Sequence, residues 1–276
     1  MRWMAKEPVI SKMRKRHIRQ LLAEGKRIDG RGKLDYREIR IEKGIIDTAE
    51  GSAMVCLGKT EVMAGVKVGL NVPYPDTPNE GILTVNAELV PLASPTFEPG
   101  PPDERAIELA RVVDRGIRSS RAVDLEKLCI IPGRKAYILF IDIYVLNYDG
   151  NLVDASALAS LGALMDTELF GYRVTDDGNV VLDRSVREPL ELEDYPVAIT
   201  VANVGGELIV DPCLDEELSM DAKITISVDK DGNICAIQKS GPGSFTVEQV
   251  MEAIDIAKEK APELREIVLG GGHGQD

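Results

Sequence analysis

Histidine, cysteine and aromatic residues are scarce in this chain of 276 residues, and their scarcity excludes several kinds of site. The two histidines are His17, in a basic segment, and His273, in a glycine-rich tail, so histidine acid–base catalysis is not expected. The cysteines show no CxxC spacing, which excludes the usual zinc patterns and a disulfide framework. Aromatics make up 4% of the chain, so aromatic stacking would not dominate contacts with a single strand.

Long apolar runs and the common nucleotide- and metal-binding motifs are also missing. The chain contains no Walker A motif, no HExxH and no GxSxG, so we expect neither a metal nor a cofactor. The most apolar span, residues 136–146, is too short to cross a bilayer and contains Asp142. The N-terminus lacks the apolar region of a signal peptide. These absences predict a cytoplasmic protein without membrane contact.

Charge is abundant but unevenly distributed. The net charge of the whole chain is −13, whereas the first 33 residues hold 11 Lys and Arg against 3 acidic residues. Residues 1–26 are therefore predicted to form a basic helical arm. Two interpretations remain open for this arm: contact with an acidic surface or polyanion, and a solvated helix that keeps the chain soluble.

The hydrophobic pattern predicts an α+β protein built from two related halves with mixed sheets. We expect helices over residues 9–23, 103–121, 154–170 and 246–260, the last ending before Pro262. Gly58-Lys59 and Asp231-Gly232 indicate hairpin turns between strands. The predicted divisions are the arm at 1–26, a first part at 27–190, a second part at 191–268 and a flexible glycine-rich tail at 269–276.

The segment 103–121 is the one basic stretch after the arm whose spacing forms a surface. At about 100° per residue, its apolar side chains fall on one side of a helix, and these are Leu109, Ala110, Val113 and Ile117. Arg111, Arg115 and Arg118 lie within about 60° of each other on the opposite side. One interpretation is a solvated helix with local ion pairs to Glu108 and Asp114, and the other is a phosphate-binding surface.

Several motifs in combination resemble the RNase PH family over roughly residues 27–262. They are Arg27-Ile28-Asp29-Gly30-Arg31, Ala49-Glu50-Gly51-Ser52-Ala53, Gly58-Lys59-Thr60 and Pro196-Val197-Ala198. Segments 101–128 and 208–240 are most similar to the archaeal exosome subunit that lacks the phosphorolytic site. The resemblance implies the RNase PH fold, with two ribosomal-protein-like βαβ halves whose sheets are flanked by helices.

Active members of this family degrade RNA from the 3′ end with inorganic phosphate, which the resemblance assigns to a Gly-Ser/Thr-Arg turn that opens a helix. The matching turn here is Gly150-Asn151-Leu152, where the hydroxyl residue and the arginine are replaced. We therefore expect a degenerate phosphate turn, with Asn151 and Asp154 forming a helix cap. Asp149 and Asp154 would also repel a phosphate dianion.

Asp194 matches the position of the family's catalytic aspartate, and the upstream acid of active members would fall near Glu188. Both lie in an acidic stretch, where the alternative interpretation of Asp194 is a solvated loop residue. We expect no catalytic residue in this chain and retain Asp194 as a vestigial candidate.

The resemblance implies a non-catalytic ring subunit of the archaeal exosome. Its expected partners are a catalytic RNase PH-like homologue in a trimer of heterodimers, RNA-binding cap subunits and single-stranded RNA, with phosphate used by the partner's site. The arginines expected to bind RNA are Arg111, Arg115, Arg118 and Arg105. Two alternatives stay open: the chain is itself a phosphate-dependent 3′-to-5′ exoribonuclease, or it is a purely structural assembly subunit.

Overall fold

The computed structural model describes residues 12–175 and 179–270. Its helices are α1 (Lys12–Ala23), α2 (Glu104–Ser119), α3 (Leu152–Met165), α4 (Leu214–Glu217) and α5 (Val247–Gly270). Its strands are β1 (Ile39–Lys43), β2 (Gly51–Leu57), β3 (Thr60–Asn71), β4 (Ile82–Leu89), β5 (Cys129–Ile131), β6 (Lys135–Asn147), β7 (Glu168–Val174), β8 (Val180–Pro189), β9 (Val197–Val204), β10 (Glu207–Val210), β11 (Ala222–Val228) and β12 (Ile234–Ser240). None of the described helices has the length and apolar character needed to span a membrane.

The first sheet contains six strands in the order β1-β2-β3-β6-β4, with β5 paired to β6. β6 is central because its side chains are apolar on both faces, and Leu139, Ile141 and Val145 are fully buried. β4 pairs with β6 in parallel, and the other pairs are antiparallel. A parallel pair requires a crossover between its strands, and α2 lies in that connection.

The second sheet contains four antiparallel strands in the order β10-β9-β11-β12. Every residue of β9 is buried, because α3 packs on one face of this strand and α5 on the other. The predicted turn at Asp231-Gly232 joins β11 to β12, where Gly232 has a φ of +81° that a side chain would disfavour. β7 and β8 form a separate two-stranded hairpin.

α3 is the layer between the two sheets. It contacts β2 and β3 on one side and β9 on the other, and its apolar side chains are buried nearly all round, as predicted. Its predicted end at Phe170 is wrong, since the helix ends at Met165 and residues 168–174 form β7. The helix ends at its C-cap residue Asp166; beyond it the Thr167 hydroxyl donates to the Ala163 carbonyl at 2.7 Å, and the Glu168 N–H donates to the Glu50 carbonyl at 2.9 Å instead of to the helix.

The predicted end of α5 is also wrong. The helix continues through Pro262 to Gly270, so the expected flexible tail at 269–276 begins with helical residues, while 271–276 lie outside the described residues. A proline in a helix costs about 3 kcal/mol. Burial of Leu264 and Val268, both fully buried beyond the proline, offsets that cost.

The basic arm is helical over Lys12–Ala23, and its first eleven residues lie outside the described residues. The loop after it enters the protein through Arg27, whose side chain is fully buried. Arg27 Nη2 lies 2.5 Å from Glu216 Oε2, and its Nη1 donates to the Val210 carbonyl at 3.0 Å. The first residues after the arm are therefore fastened to the second half of the chain.

Replacing Arg27 with Met should lower the free energy of unfolding by about 3–5 kcal/mol, because Glu216 would stay buried without its counter-charge. The double substitution Arg27→Met/Glu216→Leu should recover part of that loss. The matched control is Arg40→Met, which breaks the exposed Arg40–Glu38 pair and should change stability by less than about 1 kcal/mol. Chemical denaturation measures all three, and equal losses for Arg27→Met and Arg40→Met would contradict the argument.

Candidate functional site

α2 presents the basic surface that the helical spacing predicts. Asp103 caps the helix by accepting the Ala106 N–H at 3.0 Å. The side that packs on the core is apolar and includes Leu109, Val113 and Ile117, all buried. Arg111, Arg115 and Arg118 are exposed on the other side.

The four candidate arginines differ in the hydrogen bonds and ion pairs that they make within the chain. Within residues 12–175 and 179–270, Arg111 makes no hydrogen bond or ion pair, and Arg115 has one contact, 3.3 Å to Gln238 Oε1. Arg118 is paired with Asp114 at 2.7 Å and also donates to the Leu83 carbonyl at 3.0 Å.

Arg105 lies 2.8 Å from Asp103 and over the Phe97 ring at 5.1 Å. Arg105 and Arg118 therefore already have partners within the chain, as the ion-pair interpretation of the helix predicted for Arg118. Arg111 and Arg115 are the two guanidinium groups of α2 that remain available for a phosphate.

The predicted phosphate turn lies at the start of α3 and is closed by the protein itself. Gly150 has a φ of +89°, and a Cβ there would lie 2.5 Å from the Pro212 carbonyl, so the backbone permits only glycine. Asn151 follows in the left-handed conformation and is fully buried. Its side-chain nitrogen donates to Asp154 and to Asp211, both at 2.9 Å. Asn151 is the N-cap residue of α3, as predicted, but its side chain makes no cap hydrogen bond because it binds these two acids.

A carboxylate of the chain occupies the anion position at this helix N-terminus. Glu217 Oε2 accepts the backbone N–H of Asn151 at 3.1 Å and the Tyr148 hydroxyl at 3.2 Å. Lys223 Nζ lies 2.5 Å from the other oxygen of Glu217. Burial raises the pKa of Glu217, but the charge and hydrogen bond of Lys223 together with the hydrogen bonds of Asn151 and Tyr148 outweigh burial and hold the pKa below its usual value. Glu217 is therefore an anion at neutral pH, at a position where a phosphate would otherwise meet the helix dipole.

Asp154 points into the protein and not towards a ligand. It is fully buried and accepts the Thr200 hydroxyl at 2.7 Å, the Thr200 N–H at 3.1 Å and the Tyr36 hydroxyl at 2.9 Å. Burial raises the pKa of Asp154 to about 6. Its role is to join α3 to β9.

Asp211, like Glu217, is a buried acid beside the turn that was not predicted from the sequence. It is fully buried with a φ of +45° and accepts hydrogen bonds from Arg37 Nη2 at 2.7 Å and Arg31 Nη1 at 2.9 Å. Burial raises the pKa of Asp211, but the hydrogen bonds and charge of Arg37, with the hydrogen bond of Asn151, lower it by more. The pKa therefore lies below its usual value. The sequence feature that could have indicated Asp211 and Glu217 is the acidic segment 211–217, which directly follows a strand. Arg31 of the family motif and the nearby Arg37 could neutralise it.

Asp194 makes its described hydrogen bonds outside this turn. It is 6% exposed, which makes the solvated-loop interpretation wrong, and it accepts the N–H groups of Tyr195 at 2.6 Å and Lys230 at 2.9 Å. Glu188, the other acid expected near the site, is exposed on β8. The geometry of Asp194 is that of a residue that orders a turn.

A cleft of about 400 Å³ lies between α2 and the second sheet, next to the turn. Leu152, where the family carries an arginine, contributes an apolar wall, and Lys223 and Glu217 line the same cleft. In the part of the chain that the structure describes, no group of three or more His, Cys, Asp or Glu side chains is arranged to hold a metal ion.

The chain is similar to known proteins of one family. Residues 35–169 match domain 1 of the 3′ exoribonuclease family, RNase PH, and residues 194–260 match domain 2. The chain belongs to the RNase PH family. The α+β RNase PH fold predicted from the motifs is confirmed, whereas the predicted boundary between residues 190 and 191 stays a prediction.

Similar RNase PH proteins include archaeal exosome components, which confirms the predicted resemblance. The chain is 53% identical to exosome complex component Rrp42 of Pyrococcus abyssi over 266 residues, or 96% of this chain and 97% of that one. It is also similar to a chain of the Archaeoglobus fulgidus exosome with RNA bound to the active site, with a TM-score of 0.85, 48% identity and coverage of 92% and 97%. For a chain of an archaeal exosome core the TM-score is 0.82, with 43% identity and coverage of 93% and 96%.

The raised pKa of Asp154 predicts a pH-dependent effect of Asp154→Asn. A carboxyl whose pKa rises from 3.8 to about 6 on folding stabilises the folded state below about pH 4, and this contribution is lost as the pH rises through about 6. The free energy of unfolding lost in the variant should therefore be larger at pH 4 than at pH 7, by at most about 3 kcal/mol. Denaturation at both pH values measures it, and a loss that grows with pH would contradict the assignment.

Proposed function

We propose that this RNase PH protein is a non-catalytic ring subunit of an archaeal exosome, which degrades RNA from the 3′ end with phosphate. It pairs with a catalytic RNase PH-like homologue, and three such heterodimers form a hexameric ring in the cytoplasm. RNA-binding cap subunits bind to the ring. The names of the similar exosome proteins support the complex, and the chain's own geometry supports the division of roles within it.

The observation that carries the non-catalytic role is the closed turn before α3. The N–H that would meet a phosphate donates to Glu217, and an apolar Leu152 stands in place of the arginine. A phosphate dianion here would lie against a buried carboxylate, and like charges at such a distance repel strongly at low dielectric. Phosphate therefore belongs to the partner's site in this proposal.

The two available arginines of α2 support a role in holding RNA. Arg111 and Arg115 lie one turn apart on the exposed side of a helix whose other side is fixed in the core. A guanidinium group binds phosphate oxygens in two-pronged geometry without reading bases, which suits an exonuclease that accepts any sequence. We propose that both arginines hold RNA beside the partner's active site, with Arg118 and Arg105 fixing the helix that carries them.

Two alternative functions fit the structure less well than this proposal. An active phosphorolytic enzyme would need an open phosphate site, and here the Asn151 N–H is bound to Glu217, while Asp194 accepts the N–H groups of Tyr195 and Lys230. A purely structural subunit would leave Arg111 and Arg115 without a ligand. The exposure of these two arginines in a chain of net charge −13 favours the RNA-holding role over that structural one.

The purified chain alone, given polyadenylate and phosphate, should release no nucleoside diphosphate, because the anion position at α3 is filled. Mixing it with the catalytic homologue should restore release, and Asp194→Ala in this chain should leave that rate unchanged. Diphosphate release can be followed by chromatography. Release by the chain alone that Asp194→Ala abolishes would instead establish an active enzyme.

In the reconstituted ring, Arg111→Glu/Arg115→Glu should raise the Kd for single-stranded RNA at least about tenfold, since each charge-assisted hydrogen bond contributes about 1.5–3 kcal/mol. The matched control reverses two exposed arginines elsewhere, Arg40→Glu/Arg134→Glu, and should change the Kd far less. Fluorescence anisotropy gives the affinity, and the mass of the complex reports assembly. Unchanged RNA binding and degradation with intact assembly would support the purely structural subunit.

A further inference from the structure

α1 is fastened to the second sheet by an apolar contact. Ile18 and Leu22, one turn apart, are buried against Ala202, Val204 and Ile209 of β9 and β10. The helix therefore has a fixed orientation on the protein, and the positions of its charged side chains follow from that orientation.

The basic residues of α1 separate into two groups. Arg14 is paired with Asp215 on one side of the helix. Lys12, Lys15, Arg16 and Arg19 follow the i, i+3, i+4, i+7 spacing and lie within about 100° of each other on another side, which we call the cationic stripe. Arg19 is paired with Asp221 at 2.6 Å. Lys12, Lys15 and Arg16 make no hydrogen bond or ion pair with any other described residue.

The register of the second sheet places α1 and α2 on the same face of that sheet. Ala202, which contacts α1, lies two residues from Thr200, so both side chains point to one face. The Thr200 hydroxyl lies 2.9 Å from that of Thr225, and Gln238 is the cross-strand neighbour of Thr225. Gln238 in turn accepts from Arg115 of α2 at 3.3 Å.

One end of the cationic stripe lies beside the cleft that α2 borders. Asp221, the partner of Arg19, is one of the residues that line the cleft of about 400 Å³. Arg105 and Glu108 of α2 line the same cleft. The cleft therefore has Arg19 next to it and Arg105 in its lining, together with acidic side chains.

We propose that the cationic stripe of α1 is a second binding surface for the phosphates of single-stranded RNA, on the same face of the second sheet as Arg115 of α2. This inference rests on the proposed function in that the ligand is RNA. Three cations without a partner among the described residues stand together in a chain of net charge −13, and a polyanion is the ligand that complements them. The scarcity of aromatic residues limits the contact to phosphates, so the surface has no base preference.

An acidic protein surface is the other polyanion that could meet the stripe. The face of the second sheet that α1 shares with Arg115 of α2 favours RNA, because an extended strand on that face would meet cations from both helices. The two ligands also predict different losses when the stripe is reversed: RNA affinity in one case and assembly of the complex in the other.

The test reverses the stripe in the full chain with Lys12→Glu/Lys15→Glu/Arg16→Glu. The matched control, Lys59→Glu/Arg134→Glu/Lys258→Glu, reverses three exposed cations elsewhere and has the same net charge. Fluorescence anisotropy with oligoadenylate and oligouridylate over a range of salt gives the Kd and its salt dependence. The stripe variant should bind both RNAs at least about tenfold more weakly, and its slope of log K against log salt should fall in magnitude by about 2.

A Kd for the stripe variant within about twofold of the control's would overturn the inference. Loss of assembly with the catalytic homologue, at unchanged RNA affinity, would also overturn it and assign the stripe to a neighbouring acidic surface. Arg111→Glu/Arg115→Glu, measured in parallel, separates the two proposals. If that variant binds RNA weakly and the stripe variant does not, this inference is wrong and the proposed function still stands. If charge reversal unfolds α1, the neutral Lys12→Gln/Lys15→Gln/Arg16→Gln gives the same comparison.

Discussion

One buried carboxylate, that of Asp211, holds the two halves of the chain together. It receives hydrogen bonds from Arg31 and Arg37 of the first half and from Asn151 at the start of α3, all between 2.7 and 2.9 Å. Its own backbone, with a φ of +45°, ends β10 of the second sheet. A buried charge that loses one partner costs more than the pair contributes, so these three segments have to be in place together. The two sheets and the helix between them therefore form a single unit around this carboxylate.

The same chemistry determines what the start of α3 can bind. Helix N-termini attract anions, and active sites exploit this, but here the anion is supplied by Glu217 from a short helix of the same chain. Lys223 and Tyr148 satisfy the remaining capacity of Glu217, so the carboxylate is held in place from three directions. A carboxylate bound in this way takes up the Asn151 N–H and places a negative charge where an external phosphate would approach the helix. The start of α3 therefore acts in this chain as a structural contact.

The sequence predicts those parts of the structure that depend on neighbours in the chain. The apolar side of α2, the central position of β6 and the hairpin at Asp231-Gly232 all follow from short-range spacing, and the structure has all three. The errors depend on distant contacts. α5 continues through Pro262 because the residues beyond it are buried. Asn151 is the N-cap residue of α3 but gives it no side-chain cap hydrogen bond, because that side chain binds Asp154 and Asp211, the latter sixty residues away. Asp194 aligned with an acid by sequence, yet only the fold could show that it bonds to Lys230.

Ion pairs within the chain also determine which cations remain available to bind a ligand. Arg27, Arg37 and Arg118 each pair with an acidic residue of the same chain, and these ion pairs stabilise the fold and hold α2 in place. Among the described residues, Arg111 of α2 and Lys12, Lys15 and Arg16 of α1 have no such acidic partner, although the chain carries an excess of acid. In the proposed function, that excess would repel RNA from acidic parts of the surface, and the cations without a partner would attract it. An attraction that comes from charge alone would act on any sequence and would weaken as salt rises.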